Sequence, residues 1–154
     1  MNAGLPEIVL DAFPTATFVA DADLNVAHLN AAARTLVGPP RPGARAGDLL
    51  GCALAADGGC GASAGCAACP LRAAASAALG SSTAVRRRIV LDLAVAGGSE
   101  PVPLLVGAAP AGPGSGLVVL ALEDVTELTA LRALWSSMCT GAMRMRPAAA
   151  DPRH

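Results

Sequence analysis

Between Pro101 and Leu122 the chain runs 22 residues without a charge, long enough for a bilayer-spanning helix. The same stretch carries Pro101, Pro103, Pro110 and Pro113, together with Gly107, Gly112, Gly114 and Gly116. Proline removes a backbone donor and clashes with the preceding turn, so no helix survives that density. The pattern predicts instead two apolar strands, Val102 to Ala108 and Leu117 to Leu122, joined by a Pro/Gly loop. Just before them the periodicity is two: Ile89, Leu91, Leu93 and Val95 face one side, Arg88, Val90, Asp92 and Ala94 the other. With Gly97-Gly98-Ser99-Glu100 as a turn, the C-terminal half reads as three antiparallel strands.

The N-terminal half supplies two more. Leu5 to Phe13 has a short helical stripe (Leu5, Ile8, Val9, Ala12) that Pro14 ends. Ala16 to Ala20 and Asn25 to Asn30 form a hairpin about Asp21-Ala22-Asp23. Asn30 is suited to cap a helix over Ala31 to Val37, which Gly38-Pro39-Pro40 stops. A brief turn at Asp48 to Leu50 follows. Pro70 then opens a helix over Leu71 to Leu79, closed by Gly80. A last helix begins at Val125. Strands at both ends and helices between them predict an α+β fold, a five-stranded antiparallel sheet with helices on one face plus a C-terminal exit helix.

Length and composition limit function. At 154 residues and 15.1 kDa the chain suits one domain and a short extension. Its 53% hydrophobic content is inflated by alanine, and the only aromatic residues are Phe13, Phe18 and Trp135. A net charge of -1 speaks against nucleic acid as a partner. Met1 to Leu10 has no basic flank and includes Glu7, so no signal peptide is expected. A cytoplasmic protein without membrane attachment is the expectation, one whose cysteines stay reduced.

Four of the five cysteines, Cys52, Cys60, Cys66 and Cys69, fall within 18 residues as C-x7-C-x5-C-x2-C. Four thiolates are a ligand set for tetrahedral zinc or for an iron–sulfur cluster. Cys66 and Cys69 have chelate spacing, and Gly51, Gly58, Gly59, Gly61 and Gly65 allow tight wrapping. Spacing alone leaves other readings open: a disulfide, most simply Cys66–Cys69 or Cys52–Cys60, or four small buried residues. Covalent haem is excluded because Pro70 follows Cys69 where that motif has His. Cys139 reads as a free surface thiol. Arg86-Arg87-Arg88 reads as a solvated strand edge. Two histidines and scattered acids give no catalytic set, so an enzyme is not expected.

The order of elements and several motifs resemble a PAS domain, a bacterial sensory module. The carrying residues are Ile8-Val9-Leu10-Asp11-Ala12-Phe13-Pro14, Phe18 to Asp23, His28-Leu29-Asn30-Ala31-Ala32-Ala33-Arg34, and Glu123-Asp124-Val125-Thr126-Glu127. The stretch from Gly51-Cys52 to Cys69-Pro70-Leu71-Arg72 resembles a cysteine-rich insertion in a subset of such domains. The resemblance implies a sensor over residues 1–126 with the insertion at 51–70, a signalling and dimerisation helix over 127–146, and a disordered tail over 147–154. It implies redox or oxygen sensing through a metal or iron–sulfur centre on the four cysteines; the alternative is a protein-interaction or small-molecule-binding module of the same type, in which the cysteines hold a structural zinc or form a disulfide switch. It also implies a homodimer that signals to a histidine kinase or another output protein. The family's flavin chemistry is not expected, since no Asn-Cys-Arg occurs. His28, a lone strand histidine, reads as structural rather than as a haem ligand. Leu128, Leu131, Leu134 and Trp135 form the stripe through which two exit helices would pair.

Overall fold

The computed structural model describes residues 4–144. The uncharged run is two strands, as its prolines and glycines require: β4 spans Gly98–Pro110 and β5 spans Leu117–Asp124. They pair antiparallel from Leu104↔Asp124 to Pro110↔Val118. β3 (Val85–Val95) pairs with β4 from Val85↔Ala108 to Val95↔Gly98. β1 (Ala16–Asp21) lies on the other side of β5 and carries β2 (Val26–Leu29) at the far edge. The sheet order is β2-β1-β5-β4-β3, antiparallel throughout.

One sheet face holds the core. Phe18, Ala20, Val106, Val118 and Leu120 are wholly buried there, with Ile89 and Leu91 at the β3 edge. Helix α4 (Pro70–Ser81) covers this face and contacts β3, β4 and β5. Its buried residues Leu71, Ala74, Ala75 and Ala78 recur at helical spacing. Three of them are alanine, so the helix meets the sheet through short side chains.

The first half is tied together by one residue. Asn30 is fully buried and caps α2 (Ala31–Val37), its side-chain oxygen accepting from the Ala33 and Thr17 amides at 2.9 Å each. Its amide nitrogen donates to the carbonyls of Leu10, Phe13 and Thr15. One side chain thus joins the end of α1 (Leu5–Ala12), the start of β1 and the start of α2. Helix α3 (Ala46–Leu50) follows. The cysteine segment, which carries no pattern in sequence, forms two 3-10 turns at Ala53–Ala55 and Ala64–Ala68.

Several boundaries differ from the sequence reading. α4 runs through Gly80 to Ser81, and Ser82, at φ 53°, takes the left-handed cap that Gly80 was expected to supply. β3 begins at Val85 because Arg86, Arg87 and Arg88 pair with Gly107, Val106 and Leu105 while their side chains stay exposed. The β3–β4 turn is shorter than expected: Gly98 already pairs with Val95, and Gly97 takes φ 85° in between. His28 pairs with Val19, whereas neighbouring Phe18 and Leu29 face the core. Strand alternation therefore turns His28 away from the helical side.

Residues from Val125 onward form a second unit. Its helix α5 (Thr126–Arg144) carries Leu128, Leu131, Trp135 and Met138 at alternating spacings of three and four, with Leu134 beside them. The expected tail, 147–154, and the last two residues of the expected signalling helix lie outside the described residues. Among the described residues no helix is long and apolar enough to cross a membrane.

Candidate thiol site

The cysteine segment is pinned to the fold at each end and in the middle. It leaves α3 at Gly51, whose φ of 74° permits the left-handed turn closing that helix. Gly51 and Cys52 then attach to the end of β3: the Ala94 amide donates to the Gly51 carbonyl at 2.7 Å, and Cys52 bridges to Leu93. In the middle, the Cys60 amide donates to Asp48 Oδ1 at 2.7 Å, and Arg45 Nη1 donates to the Cys60 carbonyl at 3.0 Å. Asp48 also takes the Arg45 amide on its other oxygen at 3.0 Å. At the far end Ser63 caps the second 3-10 turn, whose residue Cys66 accepts from the Cys69 amide at 3.2 Å. Cys69 is the N-cap of α4, with Pro70 in the first turn.

These attachments bring Cys52, Cys60, Cys66 and Cys69 to one cavity of about 100 Å³ on the helical side of β3. Leu24, Leu54 and Leu91 supply apolar lining, and Gly47, Arg72 and Asp92 also border it. Cys66 is buried and the other three are half-buried. Cys60 lies hard against α3: a methyl group on Gly47 would come within 2.7 Å of Cys60 Sγ and 3.6 Å of Cys52 Cβ. Burial pushes the Cys60 thiol up. A hydrogen bond from the Gly47 amide opposes that shift, and Asp48, Cys66 and Cys69 reinforce it.

All five cysteines are free thiols. Among the described residues no three His, Cys, Asp or Glu side chains converge at coordinating distance. The four expected residues thus share a cavity without forming a closed metal geometry. Their donor chemistry fits a soft metal. Cys139 is exposed on α5.

The sequence reading gave no role to Gly47, Asp48, Arg45 or Arg72. Arg72 follows Cys69 by three residues, one helical turn along α4, and that spacing was its only visible signal. Gly47 and Arg45 reach the cysteines only through tertiary closure.

No family model and no curated protein matches the chain. Solved structures do. The PAS domain of nitrogen regulation protein NR(II) from Vibrio parahaemolyticus superposes with a TM-score of 0.50 and 18% identity, over 79% of this chain and 99% of that one. An RNA-binding Light-Oxygen-Voltage receptor superposes at 0.56 with 19% identity, over 91% of this chain and 40% of that one. With five antiparallel strands in the order β2-β1-β5-β4-β3 and helices closing one face, the chain has the fold of a PAS domain.

Proposed function

We propose that this chain is a PAS-type sensory module whose input is the thiol cavity and whose output passes through α5. It senses redox state or oxygen by holding an iron–sulfur or other metal centre on Cys52, Cys60, Cys66 and Cys69. The observation that carries this reading is that four sulfurs spread over the cysteine segment all line one cavity. The donor set suits it, since soft anionic sulfur selects zinc or iron–sulfur clusters over oxygen-loving ions. When bound, an iron–sulfur cluster supplies a redox couple, whereas zinc supplies only folding energy. The protein's own part is to position the sulfurs, with the Gly47 amide directed at Cys60 and an apolar wall limiting water. We assign it no catalytic role.

A change in the loop has a short route outward. Cys60 is held by Arg45, Arg45 Nε donates to Asn25 Oδ1 at 3.1 Å, and Asn25 is bound to Asp21 at the end of β1. β1 pairs along its length with β5, the strand that leads into α5. The apolar α5 stripe and the exposed Leu5, Ile8 and Val9 of α1 support a homodimer. A histidine kinase or comparable output protein would then read the dimer.

A second reading, a Cys66–Cys69 dithiol switch, is favoured by the short turn between these residues. The deciding experiment is anaerobic purification of wild type and Cys66→Ser, with an absorbance spectrum and assays for metal and sulfide. Iron with sulfide and a visible band lost in the variant supports the cluster. Stoichiometric zinc without colour makes the centre structural. Metal-free protein in both samples overturns the metal reading and leaves the dithiol.

A further inference from the structure

One cation, Arg72, and one anion, Asp92, border the cavity that the four thiols share. Arg72, on the first turn of α4, lines it with the cysteines. Its Nη1 reaches Asp23 at 3.3 Å, but that carboxylate is 66% exposed. Arg72 Nε, by contrast, is buried and has no hydrogen-bond partner among the described residues. A buried cationic N–H without an acceptor is unfavourable, and a neutral thiol is only a weak acceptor.

Arg45 stands beside it. A methyl group on Gly61 would collide with Arg45 Nη1 and lie 3.3 Å from Arg72 Nη2, so both guanidinium groups crowd the residue after Cys60. Arg45 donates to neutral acceptors, Asn25 Oδ1 and the Cys60 carbonyl, and its charge also acts on Asp21. The Asp48 carboxylate between them is occupied by the Cys60 and Arg45 amides, and Asp92, which also borders the cavity, is exposed. A lining guanidinium with an unpaired N–H and a second guanidinium beside it leave the pocket able to take an anionic centre.

We infer that Arg72, supported by Arg45, is the counter-charge against which a thiolate–metal centre forms in this cavity. The inference rests on the metal reading above and specifies its charge. Four thiolates around a divalent ion carry two net negative charges, which the two guanidinium groups would offset in part. Arg72 Nε, which no sulfur reaches in this structure, gains its missing acceptor when a thiolate of the centre is drawn to it. Arg72 and Arg45 are positioning residues here and do not ligate the metal.

Cobalt(II) alone is the probe, titrated anaerobically into the reduced full-length chain, because its thiolate charge-transfer absorbance reports sulfur ligation directly. Affinity is read by chelator competition. Arg72→Gln should weaken cobalt binding by about 10- to 100-fold, the range typical of groups that support ligands without touching the metal. Arg72→Lys, which keeps the charge, should recover most of the loss. Asp23→Asn should move affinity the other way, since it frees Arg72 from its carboxylate, and it guards against a misfolded Arg72 variant. Arg86→Gln, on the opposite end of β3 from the cavity, removes the same net charge and should change nothing. Cobalt binding by wild type that is unaltered in both Arg72→Gln and Asp23→Asn overturns the counter-charge role alone. Absence of the thiolate band in wild type overturns the metal reading and the counter-charge role with it.

Discussion

Replacing Gly47 with alanine tests whether Cys60 really seats against α3. Gly47 has ordinary helical backbone, so in an isolated helix alanine would be the better residue by roughly 0.5–1 kcal/mol. Here the added carbon would stand 2.7 Å from Cys60 Sγ, closer than real contacts allow, and 3.1 Å from its Cβ, tighter than nearly all of them. Rotating the Cys60 side chain can relieve the first contact. Only a backbone shift relieves the second, and Cys60 is held there by Asp48 and Arg45. Overpacking of this kind costs about 1–3 kcal/mol, so the net expectation is a loss of about 1–2 kcal/mol. Urea denaturation under reducing conditions measures it. The same substitution in a Cys60→Ala background should be milder by about 1 kcal/mol, a coupling that a double-mutant cycle isolates. Alkylation supplies an independent readout, because burial now holds the Cys60 thiol protonated and displacement would speed its reaction. If Gly47→Ala stabilises the protein equally in both backgrounds, the sulfur is not where the structure puts it, and the cavity loses one of its four thiols.

Asn30→Ala should destabilise the domain by about 3 kcal/mol in the same denaturation assay, combining a lost helix cap with a stranded Thr17 amide. Asn30→Asp should recover little of that, because a carboxylate would face the carbonyls of Leu10, Phe13 and Thr15 that the amide nitrogen now serves. Burial tends to raise the Asp21 carboxyl, but hydrogen bonds from the Asn25 side chain and from the Asn25 and Asp23 amides outweigh it and leave the value below the ordinary 3.8. The stability this group contributes is therefore complete above that ordinary value and is lost as pH falls through the lowered one. Acid titration of Asp21→Asn should show a shallower decline over that window than wild type. If the proposed dimer pairs through α5, removing residues 127–154 should yield a monomer by light scattering; a chain that is already monomeric with those residues refutes the pairing.

The parts of this fold legible in sequence are those decided by neighbours in the chain. Prolines and glycines dictate the split of the 101–122 run, a period of two marks β3, and Asn30 is recognisable as a cap from its place before an alanine-rich helix. Arg86, Arg87 and Arg88 are likewise the solvated strand edge expected of them, their backbone on the β4 ladder and their side chains in water. Boundaries went astray where a partner overrode local preference. Gly80 does not end α4, because Ala74, Ala75 and Ala78 hold the helix on the sheet and the turn comes at Ser82 instead.

The thiol site divides along the same line. Its sulfurs are visible as a cluster, since four cysteines crowd into one short segment. What surrounds them is set by closure over long sequence separations: Leu93 receives Cys52, Gly47 leaves room for the Cys60 sulfur, and Arg45 and Arg72 crowd Gly61 from two different elements. None of these residue types signals a thiol site by itself. Ligand identity is thus written locally, whereas the charge, dryness and room that decide what the ligands hold are properties of the fold. That is why cysteine spacing alone leaves zinc, cluster and disulfide open, and why variants of Arg72 and Gly47 test the surroundings of the sulfurs, which variants of the cysteines do not reach.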